Sequence, residues 1–111
     1  MVDCIFCKIV SGDIPASIVY QDEQVTAFRD LNPQAPTHVL IVPNAHVASI
    51  EDLEDPAVSQ QLPRVAVHIA REEKLDGGYR LVTNVGPDSG QSVFHLHWHL
   101  LGGRKLAWPP G

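Results

Sequence analysis

The chain reads as an α+β protein built on an antiparallel sheet of about five strands, with one long and one short helix. Three observations give that class. Apolar, β-branched runs cluster before and after a single long helical pattern, the connections between them are of hairpin length, and no repeated strand–helix–strand unit appears. Residues 1–111 are expected to form one domain, because two cores would each be left with too few buried side chains. A composition of 44% hydrophobic and 19% charged residues speaks against intrinsic disorder.

Each element has its own signal. In Cys4–Ser11, the spacing of Phe6, Ile9 and Val10 suits one or two helical turns, and Gly12-Asp13-Ile14-Pro15 breaks them. Ile18-Val19-Tyr20 and Val25–Phe28 flank the polar Gln21-Asp22-Glu23-Gln24, a hairpin signal. Pro33 and Pro36 bracket a loop before Thr37–Val42, whose β-branched and apolar run reads as a buried strand. The long helix follows Asp55-Pro56, a cap residue with proline at the first helical position, and Leu62, Val65, Ala66 and Ile69 carry its apolar spacing. Pro63 predicts a late start or a kink near residue 60, and Asp76-Gly77-Gly78 predicts the stop. Tyr79–Thr83 and Val93–Leu101 read as two further strands.

Charge removes several functions. Eight Lys and Arg against 13 Asp and Glu give a net charge of −5, which excludes a surface that coats a nucleic-acid polymer or an anionic membrane. A phosphate-bearing ligand must therefore be held by a small local site. Asp3 and Lys8 interrupt the apolar stretch near the N-terminus, so no secretory signal is expected, and no run approaches the ~18 apolar residues of a membrane span. Two cysteines, Cys4 and Cys7, are too few for a secreted disulfide framework. The expected location is the cytoplasm.

The chemistry concentrates in His95-Leu96-His97-Trp98-His99-Leu100-Leu101. Alternate side chains of a strand share a face at ~6.6–7 Å spacing. His95, His97 and His99 are thus expected on one face, with Leu96, Trp98 and Leu100 buried on the other. Such a row suits either a three-histidine metal site or a nucleophilic and acid–base cluster. Immediately upstream, Asn84-Val85-Gly86-Pro87-Asp88-Ser89-Gly90-Gln91-Ser92 supplies glycines and a hydroxyl. Alone, that loop is an ordinary turn; beside three histidines it reads as a phosphate cradle.

The pattern His-φ-His-φ-His-φ-φ, with φ apolar, resembles the signature of the histidine triad (HIT) superfamily of nucleotide hydrolases and transferases. Ile5-Phe6-Cys7-Lys8-Ile9, Asp30 to His38, Gly90-Gln91-Ser92-Val93, Leu101-Gly102-Gly103-Arg104 and Trp108-Pro109-Pro110-Gly111 are similar to its Hint branch, in order and at matching spacing. The resemblance implies a HIT-like fold, a homodimer whose two sheets join into one, and a C-terminal tail crossing the twofold. It implies hydrolysis of the P–N bond of purine nucleoside 5′-phosphoramidates through a nucleotidyl-histidine. His97 matches the nucleophile, while His95 and His99 match the flanking residues that position groups and handle protons. Asn84, Gly90, Gln91 and Ser92 fall in the block that contacts phosphate and leaving group. Asp30 matches the acceptor of the ribose hydroxyls, and Phe6, Ile9, Ile14 and Leu31 match the walls of the base pocket. AMP, GMP and their phosphoramidates are the implied ligands. Other readings are a dinucleoside polyphosphate hydrolase of the same superfamily and a non-catalytic nucleotide-binding module.

Cys4 and Cys7 at i and i+3 on a helical turn point their thiols the same way, as a zinc or redox pair or as two plain buried thiols. Zinc needs about two more ligands, and the resemblance offers His46 and His95. No cofactor is expected to be required for catalysis, because Hint-like proteins without the cysteines exist. His38, sharing a strand face with Leu40 and Val42, reads as a half-buried, satisfied histidine. His68, within the long helix, reads as solvent-facing.

Overall fold

The computed structural model describes residues 3–111. Helix α1 (Ile5–Ser11) is followed by strands β1 (Ile18–Gln21), β2 (Val25–Arg29) and β3 (Thr37–Pro43), helix α2 (Pro56–Glu72), and strands β4 (Tyr79–Thr83) and β5 (Trp98–Gly102). The five strands form one antiparallel sheet in the order β1-β2-β3-β5-β4. This is the expected α+β architecture, with one long and one short helix.

Strand periodicity assigns the two faces. Val25, Ala27, Val39, Ile41, Leu96 and Leu100 meet the buried stripe of α2, Val58, Leu62, Val65, Ala66, Ile69 and Ala70. Phe28, Leu40 and Val42 face the other way and pack on Cys4, Phe6 and Ile9 of the α1 segment. β3, buried along nearly its whole length, is thus covered on both sides. The β1–β2 turn is closed by Asp22, whose Oδ1 accepts from the amides of Gln24 and Val25 at 2.7 and 2.9 Å.

Three boundaries differ from expectation. α2 does not start late: Asp55 Oδ1 caps it by accepting from the Ala57 amide at 2.9 Å, and Pro63 sits inside a continuous helix. It ends at Glu72, before Gly77-Gly78, because Lys74 takes a left-handed φ of 57° and the Leu75 amide turns back to the Ala70 carbonyl. β5 begins at Trp98 rather than Val93. The reason lies at Pro43, whose carbonyl is 2.8 Å from the His95 ring nitrogen Nε2, while the Leu96 amide donates to Val47. A side chain and a loop carbonyl replace the sheet ladder there. The alternation of residues 96–100 nevertheless persists: Leu96, Trp98 and Leu100 lie on the α2 side, and the histidines on the α1 side.

Candidate active site and metal cluster

α1 lies across the sheet and leaves a cleft of about 280 Å³ at its edge. Phe6, Ile9, Ile14, Phe28 and Leu31 form the apolar wall, and Asp30, Ser92, His97 and His99 provide the polar groups. Phe6 meets Phe28 and His97 edge-on, with ring centroids 5.4 and 5.1 Å apart. A mostly apolar cleft with a few convergent polar groups is the form of a small-ligand site.

His97 Nδ1 is 2.8 Å from the backbone carbonyl oxygen of His95. A carbonyl only accepts, so Nδ1 carries a proton, and in the neutral form of the ring the lone pair is on Nε2. The contact therefore selects, for the neutral ring, the tautomer of a nitrogen nucleophile.

His99 is set by a longer chain. The Gln34 amide donates to His38 Nδ1 at 3.0 Å, which places the His38 proton on Nε2. That Nε2–H faces His99 Nδ1 at 2.9 Å, so a neutral His99 carries its proton on Nε2. Asp30 Oδ2 lies 3.4 Å from His38 Nε2, and Asp30 Oδ1 accepts the Asn32 amide at 2.8 Å. Burial, then the neighbouring His97 and His38, pushes His99 down to about 4, against the opposing pull of Asp30. Burial also lowers His38, again against Asp30. Both rings are neutral near pH 7. His38 is buried and bonded on both nitrogens; its link to His99 is what inspection of the sequence missed. Asp30, His38 and His99 are close enough to share a cation. The His38 proton on Nε2 removes the lone pair that a ligand would need.

The loop ahead of the histidines is braced by its own side chain. Gln91 Oε1 accepts the Gly86 amide at 2.8 Å, and its Nε2 donates to the carbonyls of Ala48 and Val93 at 2.8 and 3.2 Å. The amides of Gly90 and Gln91 turn inward to Pro87 and Gly86. Gly86 and Gly90 hold φ of 81° and 92°, which side chains rarely adopt. Of the sequence-derived candidates in this loop, Ser92 lines the cleft, whereas Asn84, Gly90 and Gln91 stand outside its wall.

His95 points elsewhere. It is fully buried, with Nε2 on the Pro43 carbonyl and Nδ1 3.4 and 3.5 Å from the thiols of Cys4 and Cys7. With neither nitrogen reaching the cleft, a direct proton-transfer role for His95 is not what its placement supports. Cys7 Sγ lies 3.4 Å from His46 Nδ1, and the four ligand atoms are all within 4.8 Å of one another. Tetrahedral zinc with bonds of about 2.3 Å to sulfur and 2.0–2.1 Å to nitrogen requires S···N edges of about 3.6 Å. Three of the four S···N edges, at 3.4, 3.5 and 3.4 Å, are close to that value, and the Pro43 carbonyl supplies the outer hydrogen bond that orients a ligating imidazole.

An α+β sheet carrying a histidine-lined cleft beside a Cys₂His₂ cluster defines a small class of proteins. Residues 11–106 match the HIT domain family, and the chain belongs to it. It is 48% identical over 107 residues to the purine nucleoside phosphoramidase of Escherichia coli (strain K12), covering 94% of this chain and 90% of that one. It is 49% identical over 112 residues to the 14 kDa zinc-binding protein of Zea mays, covering 96% and 87%. Among solved structures, a HIT family hydrolase from Legionella pneumophila Philadelphia 1 superposes with a TM-score of 0.95 at 49% identity, covering 98% of this chain and all of that one.

Proposed function

We propose that this HIT protein is a hydrolase that cleaves the P–N bond of purine nucleoside 5′-phosphoramidates. The observation that carries the reading is the fixed tautomer of His97 at the polar end of an apolar cleft. The relative named purine nucleoside phosphoramidase supports it. The base sits among Phe6, Ile9, Ile14 and Leu31. Asp30 retains free lone pairs on both oxygens and accepts from the ribose hydroxyls.

His97 Nε2 attacks the α-phosphorus and forms a P–N bond to the ring. The bond from phosphorus to the amine breaks, and its electron pair goes to the leaving nitrogen. That nitrogen takes a proton from the Ser92 hydroxyl, which is resupplied from water, while the neutral His99 donates a hydrogen bond from Nε2 to the phosphate. Ser92 binds the phosphate or the departing nitrogen. Water then attacks the phosphorus of the nucleotidyl-His97, the P–N bond to the ring breaks with its electron pair returning to Nε2, a proton goes back to solvent through Ser92, and the nucleotide leaves.

Cys4, Cys7, His46 and His95 hold a structural zinc in this reading. When bound, the ion ties α1 to the loop before β5 and supplies no chemistry to the reaction. The chain works as a single HIT domain in a cytoplasmic homodimer, with purine nucleotides as ligands. Trp108, 81% exposed in the single chain, is then covered by the partner. No helix among the described residues is long and apolar enough to cross a membrane.

One assay tests the reading: hydrolysis of adenosine and guanosine 5′-phosphoramidates beside that of a dinucleoside polyphosphate. Both phosphoramidates should turn over, with kcat/KM values within about tenfold, because an apolar base pocket discriminates weakly. Turnover of the polyphosphate alone would favour the other hydrolase activity, and turnover of none a binding module.

A further inference from the structure

The nucleotide cleft shares four wall residues, Ile5, Ile14, Ser92 and Val93, with an adjoining groove of about 650 Å³. His97 and His99 line the cleft but not the groove; Ser92 lines both. Besides Ser92 the groove is lined by Asp3, Lys8, His46 and Cys4, and the rest of its wall is apolar. Phe94 is 52% exposed and Ile5 50%, and Ile14 and Val93 continue the same surface. Its two formal charges, Asp3 and Lys8, neutralise each other in an ion pair of 2.9 Å. Large apolar side chains gathered on one concave surface, with no net charge to attract an ion, suit a neutral apolar occupant.

We propose that this groove receives the amine side of the substrate and selects amines bearing a neutral arylalkyl group, with Phe94 as the specificity-determining residue. The inference rests on the phosphoramidase reading above. The leaving nitrogen must depart on the side of phosphorus away from His97 Nε2. Of the four residues that line both the histidine-lined cleft and a space that His97 does not line, Ser92 is the one with a polar side chain. A substituent on that nitrogen therefore passes Ser92 into the groove, where Phe94 and Ile5 cover it. Phe94 lines the groove and not the cleft that holds His97, His99 and the rest of the base wall, so its effect falls on the amine.

The test compares the adenosine 5′-phosphoramidates of ethylamine and 2-phenylethylamine, two primary alkylamines of similar nitrogen chemistry, on the wild-type protein and on Phe94→Ala. The wild type should favour the phenylethyl substrate by about tenfold in kcat/KM, mainly through KM. Phe94→Ala should cut that preference to within about threefold and leave the ethyl substrate unchanged, which also reports that the variant is folded. Phe94→Leu should restore part of the preference. Equal kcat/KM for the two substrates in the wild type overturns the subsite and leaves the phosphoramidase reading standing. An equal loss on both substrates in Phe94→Ala also overturns it. Hydrolysis of neither substrate by the wild type overturns the phosphoramidase reading, and the subsite with it.

Discussion

The carbonyl oxygen of His95 fixes the proton of His97: the 2.8 Å contact to Nδ1 leaves Nε2 as the free nitrogen at the end of the cleft. The two histidines thus divide their work. His95 gives its ring to the cysteine cluster and its backbone to the neighbour two residues on. This joins the Cys₂His₂ cluster to His97 through a single residue.

His38 acts on His99 through the proton that it holds on Nε2. Replacing it with alanine should lower kcat by about 10²-fold, the scale of one lost transition-state hydrogen bond, with a smaller change in KM. The readout specific to this role is the His99 tautomer by ¹⁵N NMR. In the wild type the proton should reside on Nε2, and in His38→Ala the preference should be lost. An unchanged tautomer would show that His38 only fills space.

Metal content is checked by elemental analysis of protein prepared without chelator. One zinc per chain is expected, and Cys7→Ser should lose it. The apparent Tm of that variant should fall by more than about 5 °C, since metal binding adds to folding free energy. Turnover measured well below that Tm should stay within about threefold of wild type, because neither nitrogen of His95 reaches the cleft. Absence of zinc from unchelated protein would remove the proposal.

The depressed His99 sets an acid limit. Its folded value of about 4 lies below the ordinary value near 6.5. The unfolded chain therefore binds the proton first, and stability is full above about pH 6.5 and declines as pH falls towards 4. His38, lowered in the same direction, adds to the slope. Thermal melts of wild type and His99→Gln between pH 7.5 and 4.5 test this. The variant should show a shallower decline, and identical slopes would contradict the assignment.

Much of this was legible in sequence because the signals are local. The three histidines at every second position, the Asp22 turn and the α2 stripe each follow from a short window of residues. What escaped depends on pairing between distant segments. His38 looks like any histidine on a buried strand until the β3–β5 register, with Leu40 opposite His99, brings its ring to the active face. Gln91 falls in a block that the family resemblance assigns to ligand contact, yet its amide is consumed in holding Gly86 and Ala48. β5 starts late because the His95 ring takes the Pro43 carbonyl, which strand periodicity does not foresee. The early stop of α2 at a non-glycine left-handed residue, Lys74, carries no composition signal.

The most direct test of the central claim is the turnover of adenosine 5′-phosphoramidate by His97→Ala. Covalent catalysis through His97 predicts a variant that folds and still binds AMP, since the base wall and Asp30 are untouched. Its kcat should fall by at least about 10³-fold, near the upper end of what acid–base assistance alone supplies. A variant that keeps a tenth of wild-type turnover would contradict the claim that His97 is the nucleophile.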